Sequence, residues 1–532
     1  MVSERMVYPR AASGLRREWS PWVLFYYNFM ANSAFSAATW LQYFLVALFP
    51  GGNAALAALI GGLLLVPTML CYAFLASSTP RAGGDYVYVS RIIHPLFGFA
   101  LTFVAGVFFL MGWANANARA WAGIYVPLAF WLAGLKGFAA WLSTNIGVAV
   151  VMVVIVVLPA VIVATGMRLM GRLVTVFTAI LAVGHILLLI ALASITQPQF
   201  MRLFDQFFGA GAYQGIIQAA KEAGYTHVTE FSWTQTIALM GIPYSIMLWC
   251  QSAIPHIGEV KEVEKVRRTT LAFVGPLLIT TAIVTSIFAL VPRAIGDEFW
   301  KSISWLFITG KLMVPPHLPW YPALAALGLG GSMMLIACWI FILSHSCQII
   351  FYNVLNLANA TKYMFAHAFD RLLPSAVTYV HPRTRAPLVA LTALTVGTLI
   401  WGALAIINPE FTIARAFVAN TYSYLTIILG TSVAGIFFPY TMKGVFQRSP
   451  IAKYMVGRIP LITILGILGT IPTLFAIGLY ATFPALGGVS LIGVTIVALL
   501  YLIVAVYFAI VWFVRRRQGI DIGLAFKEIP PE

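Results

Sequence analysis

The chain has 532 residues, of which 61% are hydrophobic and only 9% charged. A soluble domain carries roughly 25% charged residues, and disorder needs low hydrophobicity with high charge, so both are excluded. The net charge of +16 suits a nucleic-acid partner only where cations and stacking aromatics share a face, so the placement of the charges decides.

The first nineteen residues are polar and basic and lack the short apolar core of a cleaved signal. Twelve apolar runs follow, each long enough for the roughly 20 residues that a bilayer crossing needs. They cover 20–49, 53–78, 95–131, 141–164, 173–196, 233–257, 270–292, 322–359, 387–407, 412–440, 460–483 and 488–514. The third and eighth exceed one crossing and are expected to tilt or to continue into water. With the N-terminus inside, 24 of the 32 Lys and Arg residues fall in inner segments and seven in outer ones, with Arg119 in a run. The positive-inside rule then predicts both termini in the cytoplasm. The expectation is an all-α, multi-pass integral protein of the plasma membrane. No aromatic platform accompanies the basic clusters, so nucleic acid is not an expected partner. The lipid bilayer is.

Along the chain, the first run holds Ala31, Asn32, Ser33, Ala34 and Phe35. Small and polar residues there permit unwinding, which in a membrane is tolerated only where it is buried or lines a cavity. They also suit plain helix contact. The third run carries Asn115 and Asn117, placed for a binding wall. Arg119 lies one turn after Asn115, and both a gate contact and snorkelling to the outer interface stay open for it. Outer segments at about 197–232 and 293–321 contain amphipathic stretches such as Tyr213 to Glu222, read as surface helices or ordinary connections. The sixth run carries Gly241, Pro243, Tyr244, Ser245, Trp249, Gln251 and Pro255, and Pro243 is expected to kink or break it. Interruptions in the first and sixth runs are equivalent in a five-plus-five inverted repeat, the pattern that marks a transporter's binding site. His185 and His345 are the histidines well inside runs. Each is read either as a proton exchanger or as a neutral group bonded to a carbonyl. Ser344 and Ser346 are sodium-site candidates or helix-packing hydroxyls. Cys71, Cys250, Cys338 and Cys347 read as buried apolar residues. No Asp or Glu lies in the middle of any run, which favours a neutral or zwitterionic substrate over a polyamine.

The segment Pro80-Arg81-Ala82-Gly83-Gly84-Asp85-Tyr86-Val87-Tyr88 resembles the Pro-x-x-Gly-Gly-x-Tyr signature of amino acid–polyamine–organocation superfamily permeases. Glu259-Val260-Lys261, the stretch KYMFAHAFDRLLP from Lys362 to Pro374, and HPRTRAP from His381 to Pro387 resemble further segments of that superfamily, in the right order. The resemblance covers essentially the whole chain and is of the amino acid permease type. It implies twelve transmembrane helices in two inverted five-helix repeats plus two peripheral helices, with helices 1 and 6 broken. Residues 1–19 are then a cytoplasmic tail, 20–440 the transport core, 441–514 the peripheral helices and 515–532 a second tail. Gly83 and Gly84 supply a tight turn. With Asp85, Tyr86, Glu259, Lys261 and Asp370 they read as cytoplasmic gate and loop architecture. Asp370 is expected to pair with Arg371, Arg383 or Arg385 in exposed contacts worth about 0–1 kcal/mol each.

Departures from the superfamily pattern are visible. Asn32-Ser33-Ala34 stands for its usual Gly-Ser-Gly, and Leu248-Trp249-Cys250 for its aromatic–Gly–aromatic break. Phe74 replaces a glutamate, and Leu181, with His185 one turn on, replaces a lysine.

The expected function is secondary transport of an amino acid or similar small zwitterion by alternating access. Substrate-binding candidates are Ala31, Asn32, Ser33, Ala34, Phe35, Asn115, Tyr244, Ser245, Trp249, Gln251 and Ser344. A coupling ion, proton or sodium, stays open. So do exchange or uniport, a ligand-sensing transceptor and, further off, a channel. No cofactor or metal is expected, and the chain lacks His-Glu-x-x-His, Gly-x-Ser-x-Gly and a phosphate loop, which argues against an enzyme.

Overall fold

The computed structural model describes residues 15–32, 34–35, 38–39, 45–113, 121, 126–132, 134–312, 320–408, 413–483, 486 and 491–527. Ser33, Asn115, Asn117 and Arg119 lie outside the described residues. Among the described residues the fold is helical apart from a hairpin of two two-residue strands, Met455–Val456 with Ile459–Pro460, and one isolated bridge between Trp19 and Val260. Among the described residues, eleven helical segments are long and apolar enough to cross a membrane.

The apolar runs become helices because their backbone polar groups have no water to bond inside a bilayer. The second and seventh runs pack together, as do the first and seventh, the fifth and eighth, the fourth and ninth, and the tenth and eleventh. The sixth run is the centre of the bundle, with 94% of its apolar window buried, against 11% for the twelfth. On the twelfth, Leu502, Ile503, Val506 and Ile510 stay exposed, and on the fourth Ile146, Val150, Val154 and Val161 do. Such apolar stripes suit contact with lipid.

Several runs are segmented. The first forms helix Pro21–Ala31, capped at its start by Ser20 and ended at Asn32. The second is two helices, Ala54–Leu64 and Val66–Ser78, jointed just before Pro67. The third contains a π-helical turn at Val104–Phe108. The eighth run is expected to start at residue 322 as one helix but divides at Gly330, whose φ is +68°, into Tyr321–Leu329 and Gly331–Phe369. That backbone setting suits glycine and ends the shorter helix. Outside the runs, Gln197–Phe208, Ala212–Glu222 and Asp297–Ile308 are helices, so the segments at about 197–232 and 293–321 contain ordered helices rather than plain connections. Tyr213 stacks on Phe299 at 4.4 Å between ring centroids and joins two of them.

The N-terminal strand is pinned to the end of the sixth run. Glu18 and Trp19 N–H groups donate to Glu259 O at 2.8 and 3.1 Å, and Lys261 N–H donates to Trp19 O at 2.8 Å. The Trp19 indole N–H donates to Met167 O at 2.8 Å. This end of the bundle is called the Trp19 end below.

Candidate substrate site and Trp19-end seal

The sixth run is broken into helices Trp233–Leu239 and Gly241–Met247, then 3₁₀ turns at Leu248–Gln251 and Ile254–Glu259. Pro243 has no N–H for the carbonyl of Leu239, four residues back, and the first helix stops there. Where the helix gives way to 3₁₀ turns, side chains of the first run bond its free backbone groups. With its amide oriented so that both atoms are satisfied, Asn32 donates to Ile246 O and Met247 O at 3.0 and 2.9 Å and accepts from Thr280. Asn28 accepts from Ala253 N–H and donates to Ala272 O, both at 2.9 Å. Gln348 of the eighth run donates to Met30 O at 3.4 Å. The ends of the first and sixth runs therefore meet as a backbone-rich patch held by amides.

Aromatic rings close over this patch. Trp249 stacks on Tyr424 of the tenth run at 3.9 Å and lies edge-on to Trp113 at 6.3 Å. Gln251 donates to the Tyr424 hydroxyl. Tyr424 gave no sign in the sequence, because one tyrosine in an apolar run looks like core. Only its partners mark it.

The predicted site residues do not all converge. Tyr244 and Ser245 turn the other way. Their hydroxyls meet Thr473 and Tyr480 of the eleventh run, both at 2.9 Å, so they are outer packing contacts of the break. Phe35 stacks on His185 at 4.2 Å and meets His345 edge-on at 5.5 Å. Ala31 and Ala34 are buried beside them in the core. His185 donates through Nδ1 to Leu181 O at 2.9 Å, and its Nε2 has no hydrogen-bond partner. Ser344 donates to Ile180 O at 3.2 Å, whereas Ser346 accepts from the Trp121 indole at 2.7 Å. The two serines thus serve different neighbours.

Below the patch, toward Trp19, the sequence's loop motifs form a buried seal. Gly83 and Gly84 have φ values of +92° and +32°, and a Cβ on Gly84 would lie 2.5 Å from Ile254 O, so only glycine lets this turn press on the sixth run. Glu259 pairs with Lys362 at 2.6 Å, with side chains 1% and 5% exposed. Tyr27 donates to Asn359 at 2.9 Å, and His256 meets the same oxygen at 3.0 Å. Lys261 is exposed and contributes its backbone to the Trp19 strand.

Asp370, expected in exposed pairs with Arg371, Arg383 or Arg385, does not sit at an exposed position. It is buried, pairs with Arg91 at 2.5 Å and accepts from Tyr86 at 2.7 Å. The Arg91 guanidinium is sandwiched between the rings of Tyr86 and Phe526. Asp85 is fully buried too. Its carboxylate accepts from Tyr72 and Tyr363 at 2.6 Å each and from Thr431 at 2.7 Å. Burial raises its pKa above the ordinary aspartate value, and the three hydroxyls oppose that rise.

In a comparison with known families, the model for amino acid permeases matches residues 23–506. No curated protein matches the chain.

Proposed function

Because the chain belongs to the amino acid permease family, whose members are membrane transporters and not enzymes, we propose that it moves an amino acid or similar small zwitterion by alternating access. The carrying observation is the facing pair of interruptions in the first and sixth runs. Their freed backbone groups suit the two ends of a zwitterion, with N–H groups for a carboxylate and carbonyls for an ammonium. Asn32, Gln251, Trp249 and Tyr424 frame the substrate. The core is residues 20–440 as two inverted five-helix repeats, followed by two peripheral helices at 441–514, twelve in all. The Trp19 end faces the cytoplasm of a cell whose plasma membrane holds the protein.

The conformation supports a cytoplasm-sealed state of the cycle. Opening requires Glu259 to leave Lys362 and the Trp19 strand to detach. His185 of the fifth run and His345 of the eighth, both against Phe35 of the first, are the proton-coupling candidates inside the runs.

The test is reconstitution in liposomes with a labelled mixture of the twenty common amino acids. The expected result is saturable uptake and counterflow. Absence of both under sodium, proton and exchange conditions would sink the reading, and flux that does not saturate would indicate a channel.

A further inference from the structure

Among the described residues three acids are buried: Asp85, Glu259 and Asp370. Two of them hold a cation, Lys362 at 2.6 Å and Arg91 at 2.5 Å. A fixed cation keeps a buried carboxylate charged. Asp85 differs in kind, because its side-chain partners are three hydroxyls. Tyr72 and Thr431 donate to Oδ1 and Tyr363 donates to Oδ2. A hydroxyl donates or accepts as needed, so this cage suits the neutral acid as well as the anion.

Among the described residues, the side chains that bond Asp85 are hydroxyls and none is a cation, and Arg81 of the same turn donates to Pro80 O. Tyr72 faces it from the second run and Tyr363 from the eighth. Thr431 faces it from the tenth run, about two turns from Tyr424 on the same helix. The packed stretch Pro95–Phe103 carries no titratable residue. Of the sixth-run segment against Gly84, His256 and Glu259 are engaged with Asn359 and Lys362. Arg91, on its own helix, is turned to Asp370.

We propose that Asp85 is a proton-binding site of the transport cycle, occupied while the Trp19 end is sealed and emptied when that end opens to water. The inference rests on the permease reading, with the Trp19 end in the cytoplasm. The proton adds to an Asp85 carboxylate oxygen, Oδ2, and the Tyr363 hydroxyl turns to accept from the new O–H. Tyr363 adjoins Lys362, so parting the Glu259–Lys362 pair draws Tyr363 from the cage. Water then reaches the carboxyl, hydration favours the charged form, and the proton leaves as hydronium. Linkage is reciprocal: if opening lowers proton affinity, a proton on Asp85 favours the sealed state. The route to the substrate patch is short, since Tyr424 stacks on Trp249 and accepts from Gln251.

The experiment uses the full-length protein in liposomes, as wild type, Asp85→Asn and Thr431→Val. An infrared pH titration follows the carbonyl band of a protonated acid. In wild type the band persists at pH values where an ordinary aspartate, of pKa about 3.9, is ionised. Asp85→Asn removes it. Thr431→Val removes a donor to the anion and moves the midpoint alkaline by about one pH unit. An inward proton gradient increases wild-type uptake of the labelled amino-acid mixture, and Asp85→Asn makes uptake with and without the gradient equal. A band that survives in Asp85→Asn, or gradient-driven gain retained there, overturns the proposal. If Asp85→Asn does not fold, an unmoved midpoint in Thr431→Val does so. Wild type that transports none of the mixture would instead fail the permease reading, while the titration still tests proton binding at Asp85.

Discussion

Single residues in the sixth run divide by the direction they face. Trp249 stacks on Tyr424, whereas Tyr244 and Ser245 bond Thr473 and Tyr480. Trp249→Ala is therefore expected to weaken the half-saturation of uptake at least about tenfold, or roughly 1.4 kcal/mol, the upper range for a lost aromatic pair. Tyr244→Phe is expected to change it less than about twofold in the same counterflow assay. The Glu259–Lys362 pair makes a sharper residue-scale prediction. Either Glu259→Gln or Lys362→Met strands a buried group and is expected to cost about 3–5 kcal/mol in thermal or denaturant unfolding, while the double substitution recovers most of it. The sequence showed the residue types of this seal but not its pairs. Asp370 finds Arg91 across 279 positions, a partner that its sequence neighbours do not suggest. The long-range choice of Arg91 is made by packing and leaves no local trace.

At the scale of elements, the long apolar runs were legible because hydrocarbon thickness sets their length. The interruption of the sixth run was legible at Pro243, a residue with a mechanical effect on the helix. The division of the eighth run at Gly330 was not, since glycine inside an apolar run is common in membranes and only its φ of +68° shows the joint. The Gly83–Gly84 turn links two elements, and its tolerance can be checked. Gly84→Ala combines a positive φ with contact on Ile254 backbone, and the expected loss is at least about 1–2 kcal/mol, read as a lower unfolding midpoint. Gly478→Ala, where nothing lies within 4 Å of the added carbon, should not lower it.

For the whole molecule, the strand that carries Trp19 runs beside Val260 as a parallel bridge. Bridged strands lie about 4.8 Å apart, within the span of a disulfide. Cysteines at Trp19 and Val260, with the four native cysteines replaced, are expected to form a bond that stops uptake until a reductant restores it. Unchanged transport under oxidising conditions, with the bond shown by mass spectrometry, would mean that the strand need not detach. Substrate binding should also stabilise the whole fold, by about 2.7 kcal/mol at a hundredfold excess over Kd.

The helix Gly331–Phe369 is 39 residues of uninterrupted α-structure. At 1.5 Å per residue, Ser344 and Lys362 stand about 27 Å apart on one stiff rod. The rod meets the backbone-rich patch through Gln348 and the seal through Lys362, and the glycine joint at Gly330 marks its other end. Over that lever arm a tilt of about 10° about Ser344 sweeps Lys362 through roughly 5 Å, more than enough to part it from Glu259. In the proposed transport cycle, a displacement at the patch too small to see in a side-chain rotamer would, by leverage alone, part the seal.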